Sequence, residues 1–150
     1  MTRKLQPLGP DDAARVQPMM RRFYAHFGYA YSPRVQGRSF RHLLADPRRG
    51  RAWLVTSDGE PAGYVVLTLG WSIEYGGLVA MVDELFIEAA HRGGGLGTWV
   101  LGRMKTQARR LGVRRLFLEV ESYNRRAKKL YARVGYEDRK RTLMAQQLGG

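Results

Sequence analysis

Residues 82–97, VDELFIEAAHRGGGLG, carry an apolar strand pattern straight into four glycines set around a leucine, with Arg92 at their head. From Leu96 onward the apolar spacing is helical, so the glycines fall where a strand hands over to a helix N-terminus. Backbone N–H groups there lack partners and the helix dipole is positive, which together hold an anion. Glycine adds access to φ > 0 and lets a ligand come close to the backbone. Arg92 sharpens the reading, because a cation beside a helix N-terminus is unfavourable until an anion neutralises it.

Two familiar phosphate loops compete for this stretch. A P-loop ends in Gly-Lys-Ser/Thr, whereas Gly97 is followed by Thr98 and Trp99. The dinucleotide fingerprint G-x-G-x-x-G comes nearer: Gly93 and Gly95 fit its first half, and Glu119 and Glu121 close the next strand. Its third glycine would fall at Thr98, and this loop follows many earlier elements instead of opening a domain. It stands as the minor alternative.

At 150 residues the chain fits one domain, 1–150, long enough to bury a core without staples. The lack of cysteine excludes disulfides, thiolate zinc sites and a cysteine nucleophile, and is compatible with a reducing cytoplasm. No metal site is expected. The N-terminal MTRKLQPLG has no apolar h-region and no stretch approaches a membrane span, so neither secretion nor insertion is expected. A net charge of +13 raises nucleic acid as a partner. The basic residues, among them Arg21, Arg22, Arg109, Arg110, Arg125 and Lys129, are spread over helical positions that face solvent. A solvated arginine-rich surface is therefore the plainer reading, and it equally suits a small polyphosphate ligand.

Outward from the loop, the pattern predicts a strand over Lys4–Leu8 and a helix with Val16, Met20, Phe23 and Phe27 inward, ended by Gly28. A second helix starts at Ser32-Pro33 and runs to about Ala45. Arg51–Ser57, Pro61–Leu69 and Leu78–Ile87 read as three strands of a meander, the first two joined through Ser57-Asp58-Gly59-Glu60. Gly70–Gly77, GWSIEYGG, reads as an intervening loop. Beyond the glycines come a helix ended by Gly112, a strand over Arg114–Val120, a helix capped by Asn124 and stopped at Gly135, and a last strand near Thr142–Leu148. The order β-α-α-β-β-β-α-β-α-β describes one α/β mixed sheet with helices on its faces.

Two motifs make the chain resemble the GCN5-related N-acetyltransferases. Arg92–Gly97, RGGGLG, is similar to the family's Arg/Gln-x-x-Gly-x-Gly/Ala loop. Asn124–Tyr136, NRRAKKLYARVGY, is similar to Asn-x-x-Ala-x-x-Leu-Tyr-x-x-x-Gly-Phe, with Tyr136 replacing phenylalanine. The resemblance implies a mostly antiparallel sheet with a splayed parallel central pair. It implies acetyl-coenzyme A as co-substrate, its pyrophosphate on the amides of Arg92, Gly93, Gly94, Gly95, Leu96, Gly97 and Thr98. Its pantetheine would pair with the backbone of Leu85, Phe86 and Ile87. Asn124 would touch the coenzyme, although capping alone would account for it.

The implied chemistry is acyl transfer: a neutral amine attacks the thioester carbonyl, an oxyanion forms and the thiolate leaves. A base should take the amine proton and an acid should protonate the sulfur. The resemblance gives the acid role to Tyr131, whose spacing also fits plain helix packing. Asp83, Glu84 and Glu119 are the candidate bases. By period two Asp83 and Glu84 face opposite sides of their strand, and a strand-end salt bridge to an arginine is the rival explanation for Asp83 and for Glu119. Glu74, Asp83, Glu84, Glu119 and Glu121 fall in segments that should border the cleft, which points to a cationic amine acceptor, with Glu74 contributing charge and Trp71 and Tyr75 aromatic walls or cation–π contacts. The alternative is a non-catalytic acyl-coenzyme A- or nucleic-acid-binding protein on the same fold. A homodimer stays open.

Overall fold

Period-two alternation in the central strands builds a sheet with two buried faces. The computed structural model describes residues 1–149. Its sheet has the order β1 (Arg3–Pro7), β2 (Gly50–Ser57), β3 (Glu60–Ser72), β4 (Gly77–Ile87), β5 (Arg115–Leu118). The first three pairings are antiparallel and β4–β5 is parallel. Ala52, Leu54, Tyr64, Val66 and Phe86 point to one face, where α1 (Ala13–Phe27) packs through Val16, Met20 and Phe23, and α2 (Arg38–Ala45) through Phe40. Trp53, Val55, Val65, Leu67 and Val82 point to the other, covered by α3 (Leu96–Arg110) through Leu96, Val100 and Met104. The buried apolar side chains on each face exclude water from the sheet's hydrogen bonds.

Contacts divide the chain into two units, Met1–Glu119 and Val120–Gly150. The first holds the sheet and α1 to α3. The second holds α4 (Arg125–Arg133), which Asn124 caps by accepting from the Ala127 N–H at 3.1 Å.

Three expectations change. GWSIEYGG is not an eight-residue loop: β3 runs through Ser72 and β4 starts at Gly77, leaving a four-residue hairpin turn. Gly76 and Gly77 adopt φ of +81° and +149°, which lets the strands extend this far. The strand expected over Arg114–Val120 ends at Leu118. No strand forms over Thr142–Leu148, where Leu143, Met144 and Leu148 are 73%, 87% and 89% exposed. Its adjacent Leu143 and Met144 give no alternating face to bury, so nothing favours sheet pairing there.

Candidate active site

The parallel pair ends early on β4 because β5 stops at Leu118. β5 pairs with β4 only from Val79 to Val82, so residues 83–87 of β4 have β3 on one side and, among the described residues, no strand on the other. The Glu88 N–H donates to the Ala62 carbonyl at 2.8 Å, which fixes the alternation: Leu85 and Ile87 turn their backbone groups away from β3. These are the groups an extended amide chain would pair with.

Next comes the glycine loop. Gly93 and Gly95 have φ of +85° and +80°, a region that side-chain-bearing residues avoid. Among the described residues, the six consecutive amides from Gly93 to Thr98 donate no hydrogen bond within the protein; the Trp99 N–H is the first to do so, to Gly95 at 3.0 Å. The Arg92 amide, expected in this set, is instead used on the Ala89 carbonyl at 3.3 Å. A Cβ at Gly93, Gly94 or Gly97 would meet nothing within 4 Å, so no neighbouring atom crowds the loop at these positions. The loop and the strand edge therefore suit a diphosphate continued by an amide-bearing arm, as in coenzyme A. The Arg92 side chain lies on the strand edge, with Nε donating to the Ile87 carbonyl at 2.7 Å and the guanidinium 5.5 Å from the Phe86 ring.

A β-bulge places the acids. Val66 of β3 faces Glu84 and Leu67 faces Val82, so Asp83 is an extra residue in β4. Strict alternation along β4 breaks here: Val82 stays with the α3 face, while Glu84, two residues on, joins the α1 face. There Glu84 accepts from the Tyr24 hydroxyl at 2.6 Å on one oxygen and from the Tyr64 hydroxyl at 2.7 Å on the other. Burial raises the Glu84 pKa, the two phenols oppose that rise, and the charge of Asp83 adds to it. Desolvation also lifts Asp83 above the usual carboxylate range. Burial and then the Glu84 carboxylate hold Tyr24 and Tyr64 well above the ordinary phenol range, so both remain donors.

The salt-bridge reading fails for Asp83 and Glu119. The ion pairs seen use Asp12, Asp46, Glu88 and Asp138, whereas Asp83, Glu84 and Glu119 are in none. Glu119 is exposed one residue past β5. Trp71 pairs with Leu78, six residues from Glu84, which is about 20 Å along a strand, so Trp71, Glu74 and Tyr75 are not gathered with the carboxylate pair. The Tyr75 ring already meets the Arg115 guanidinium at 5.0 Å and the Phe117 ring at 5.6 Å. Two cavities, of about 530 and 500 Å³, lie beside Arg38, His42 and Thr68 and beside Asn124, Lys129 and Leu130, and neither is lined by these acids. In the second unit, Tyr131 meets Tyr136 edge-to-face at 6.2 Å; desolvation raises Tyr131 and pushes Tyr136 up to about 12.

Sequence reasoning missed Tyr24 and Tyr64, which no local spacing links to Glu84, at 60 and 20 residues' separation.

The sequence model of the acetyltransferase (GNAT) family matches residues 16–136. An integron cassette protein, HFX_CASS3, from the mobile metagenome of Cole Harbour Salt Marsh is similar in structure, with TM-score 0.85, 36% identity, and coverage of 97% of this chain and 91% of that one. An aminoglycoside acetyltransferase, meta-AAC0020, from an uncultured soil sample shares the fold at TM-score 0.81 and 13% identity, over 98% and 97% of the two chains. An uncharacterized N-acetyltransferase of Methanocaldococcus jannaschii is 32% identical over 84 residues, which span 55% of this chain but 37% of that relative.

Proposed function

The chain belongs to the acetyltransferase (GNAT) family, and from that premise we propose that it transfers an acetyl group from acetyl-coenzyme A to a cationic primary amine within a single catalytic domain. The observation that carries the acceptor class is the Asp83–Glu84 pair. In a chain with 26 lysines and arginines, these neighbouring carboxylates form no ion pair among the described residues. Such a pair attracts a cation, and it sits beside the open edge of β4 that would hold the acyl donor.

Acetyl-coenzyme A supplies the activated acyl group, a thioester. Gly93–Thr98 would hold the diphosphate through their amides, and Leu85 and Ile87 would fix the pantetheine arm. Glu84 would take the proton from the amine directly or through one water, its raised pKa bringing it nearer that of the ammonium group it must neutralise. Asp83 would hold the acceptor's charge. Tyr131 would return a proton to the departing sulfur; its motif supports this, and its raised pKa keeps it protonated at neutral pH. Trp71, Glu74, Tyr75 and Glu119 carry no role in this reading.

Thiol release from acetyl-coenzyme A against a panel of mono- and diamines tests it. Turnover is expected with cationic amines, about 100-fold lower kcat in Glu84→Gln and in Tyr131→Phe, and retained coenzyme binding in both. Saturable coenzyme binding without turnover on any amine, or unchanged kcat in Glu84→Gln, rules the proposal out.

A further inference from the structure

Arg3 belongs to β1, at the far edge of the sheet from β4, yet its side chain ends at the glycine loop. Its Nη2 donates to the Gly94 carbonyl at 2.5 Å across 91 residues of sequence, and lies 4.0 Å from where a Cβ of Gly95 would stand. Residues two apart in a strand share a face, and Leu5 packs with the α3-side core. Arg3 therefore approaches the loop on the α3 face, at the positive end of that helix. It forms no ion pair among the described residues. A half-buried cation beside a helix N-terminus and without a carboxylate is unfavourable until an anion arrives. Arg92, the arginine of the motif, is turned the other way, to the Ile87 carbonyl and the Phe86 ring. The cation presented over Gly94 and Gly95 is thus that of Arg3. A guanidinium carries five N–H donors, so the bond to Gly94 leaves others for phosphate oxygens.

We propose that Arg3 binds a phosphate of coenzyme A at the loop while holding the loop in place through the Gly94 carbonyl. This rests on the acetyltransferase reading of the loop. Coenzyme A offers two such groups, the diphosphate and the ribose 3′-phosphate, which present the same charged oxygens.

Calorimetric titration of the full chain with coenzyme A and with dephospho-coenzyme A tests the assignment, using wild type, Arg3→Ala, Arg3→Lys and Lys4→Ala as a neighbouring-charge control. Arg3→Ala should weaken coenzyme A binding about tenfold or more, the cost of one charge-assisted contact. Arg3→Lys should recover part of the loss, having the charge without the fork, and Lys4→Ala should bind as wild type does. In turnover, Arg3→Ala should raise the KM for acetyl-coenzyme A with kcat unchanged. A penalty that persists with dephospho-coenzyme A assigns the contact to the diphosphate, and one that vanishes assigns it to the 3′-phosphate. Unchanged affinity in Arg3→Ala overturns the proposal. So does an equal loss in Arg3→Ala and Arg3→Lys accompanied by a lowered Tm, which marks a purely structural role. A wild-type chain that binds no coenzyme A overturns the acetyltransferase reading and the assignment together, whereas tight wild-type binding with unaltered Arg3→Ala removes the assignment alone.

Discussion

Glu84 is held between two phenols, and each hydroxyl stabilises its charged form. Burial works against that charge and wins, leaving the carboxyl above its usual range. Removing one phenol therefore has a defined sign. In Tyr24→Phe the carboxylate loses a charge-assisted bond of about 1.5–3 kcal/mol, so its pKa moves further up. The acidic limb of the pH–kcat profile should shift to higher pH by about one unit, since 1.36 kcal/mol corresponds to one pKa unit. A profile unmoved in Tyr24→Phe would mean that another group is the base. Tyr64 is the less useful variant, because it is fully buried and its truncation would disturb the core as well.

The glycine loop shows how an element can be read from sequence. Gly93 and Gly95 were legible because a tight strand-to-helix turn requires φ > 0, which the structure has at both positions. Helices α1, α3 and α4 were legible from apolar spacing and from Gly28 and Asn124 at their ends. The bulge at Asp83 was not, because a bulge is a property of two paired strands and β4 alone carries no sign of it. The same holds for Arg3 on Gly94 and for Tyr24 on Glu84, where contact is made by sheet order rather than by spacing. Apolar residues near Thr142–Leu148 do not make a final strand, because Leu143, Met144 and Leu148 stay exposed. Within the loop, individual glycines are not equivalent. Gly95→Ala forces a side chain into the left-handed region at a cost of about 1–2 kcal/mol, lowering Tm by roughly 2–8 °C for a chain of this size. Gly94, with no positive φ and open space around its would-be Cβ, should accept alanine with Tm unchanged. Equal Tm losses in the two variants would show that backbone conformation is not what selects glycine at residue 95.

Across the whole molecule, a net charge of +13 sets up repulsion between copies. Repulsion at long range does not by itself protect an unpaired strand, and residues 83–87 of β4 leave one side of the backbone without a neighbouring strand. An exposed strand edge is a template on which another chain can add a strand. The Arg92 side chain already covers one acceptor there, the Ile87 carbonyl. A coenzyme arm paired along the same edge would cover the rest, so ligand occupancy and colloidal behaviour become linked. Heated in high salt, where charge repulsion is screened, the protein should scatter less light with coenzyme A present than without it, and by more than its rise in Tm explains. The ligand that the edge is shaped to receive would then also serve as the guard against self-association.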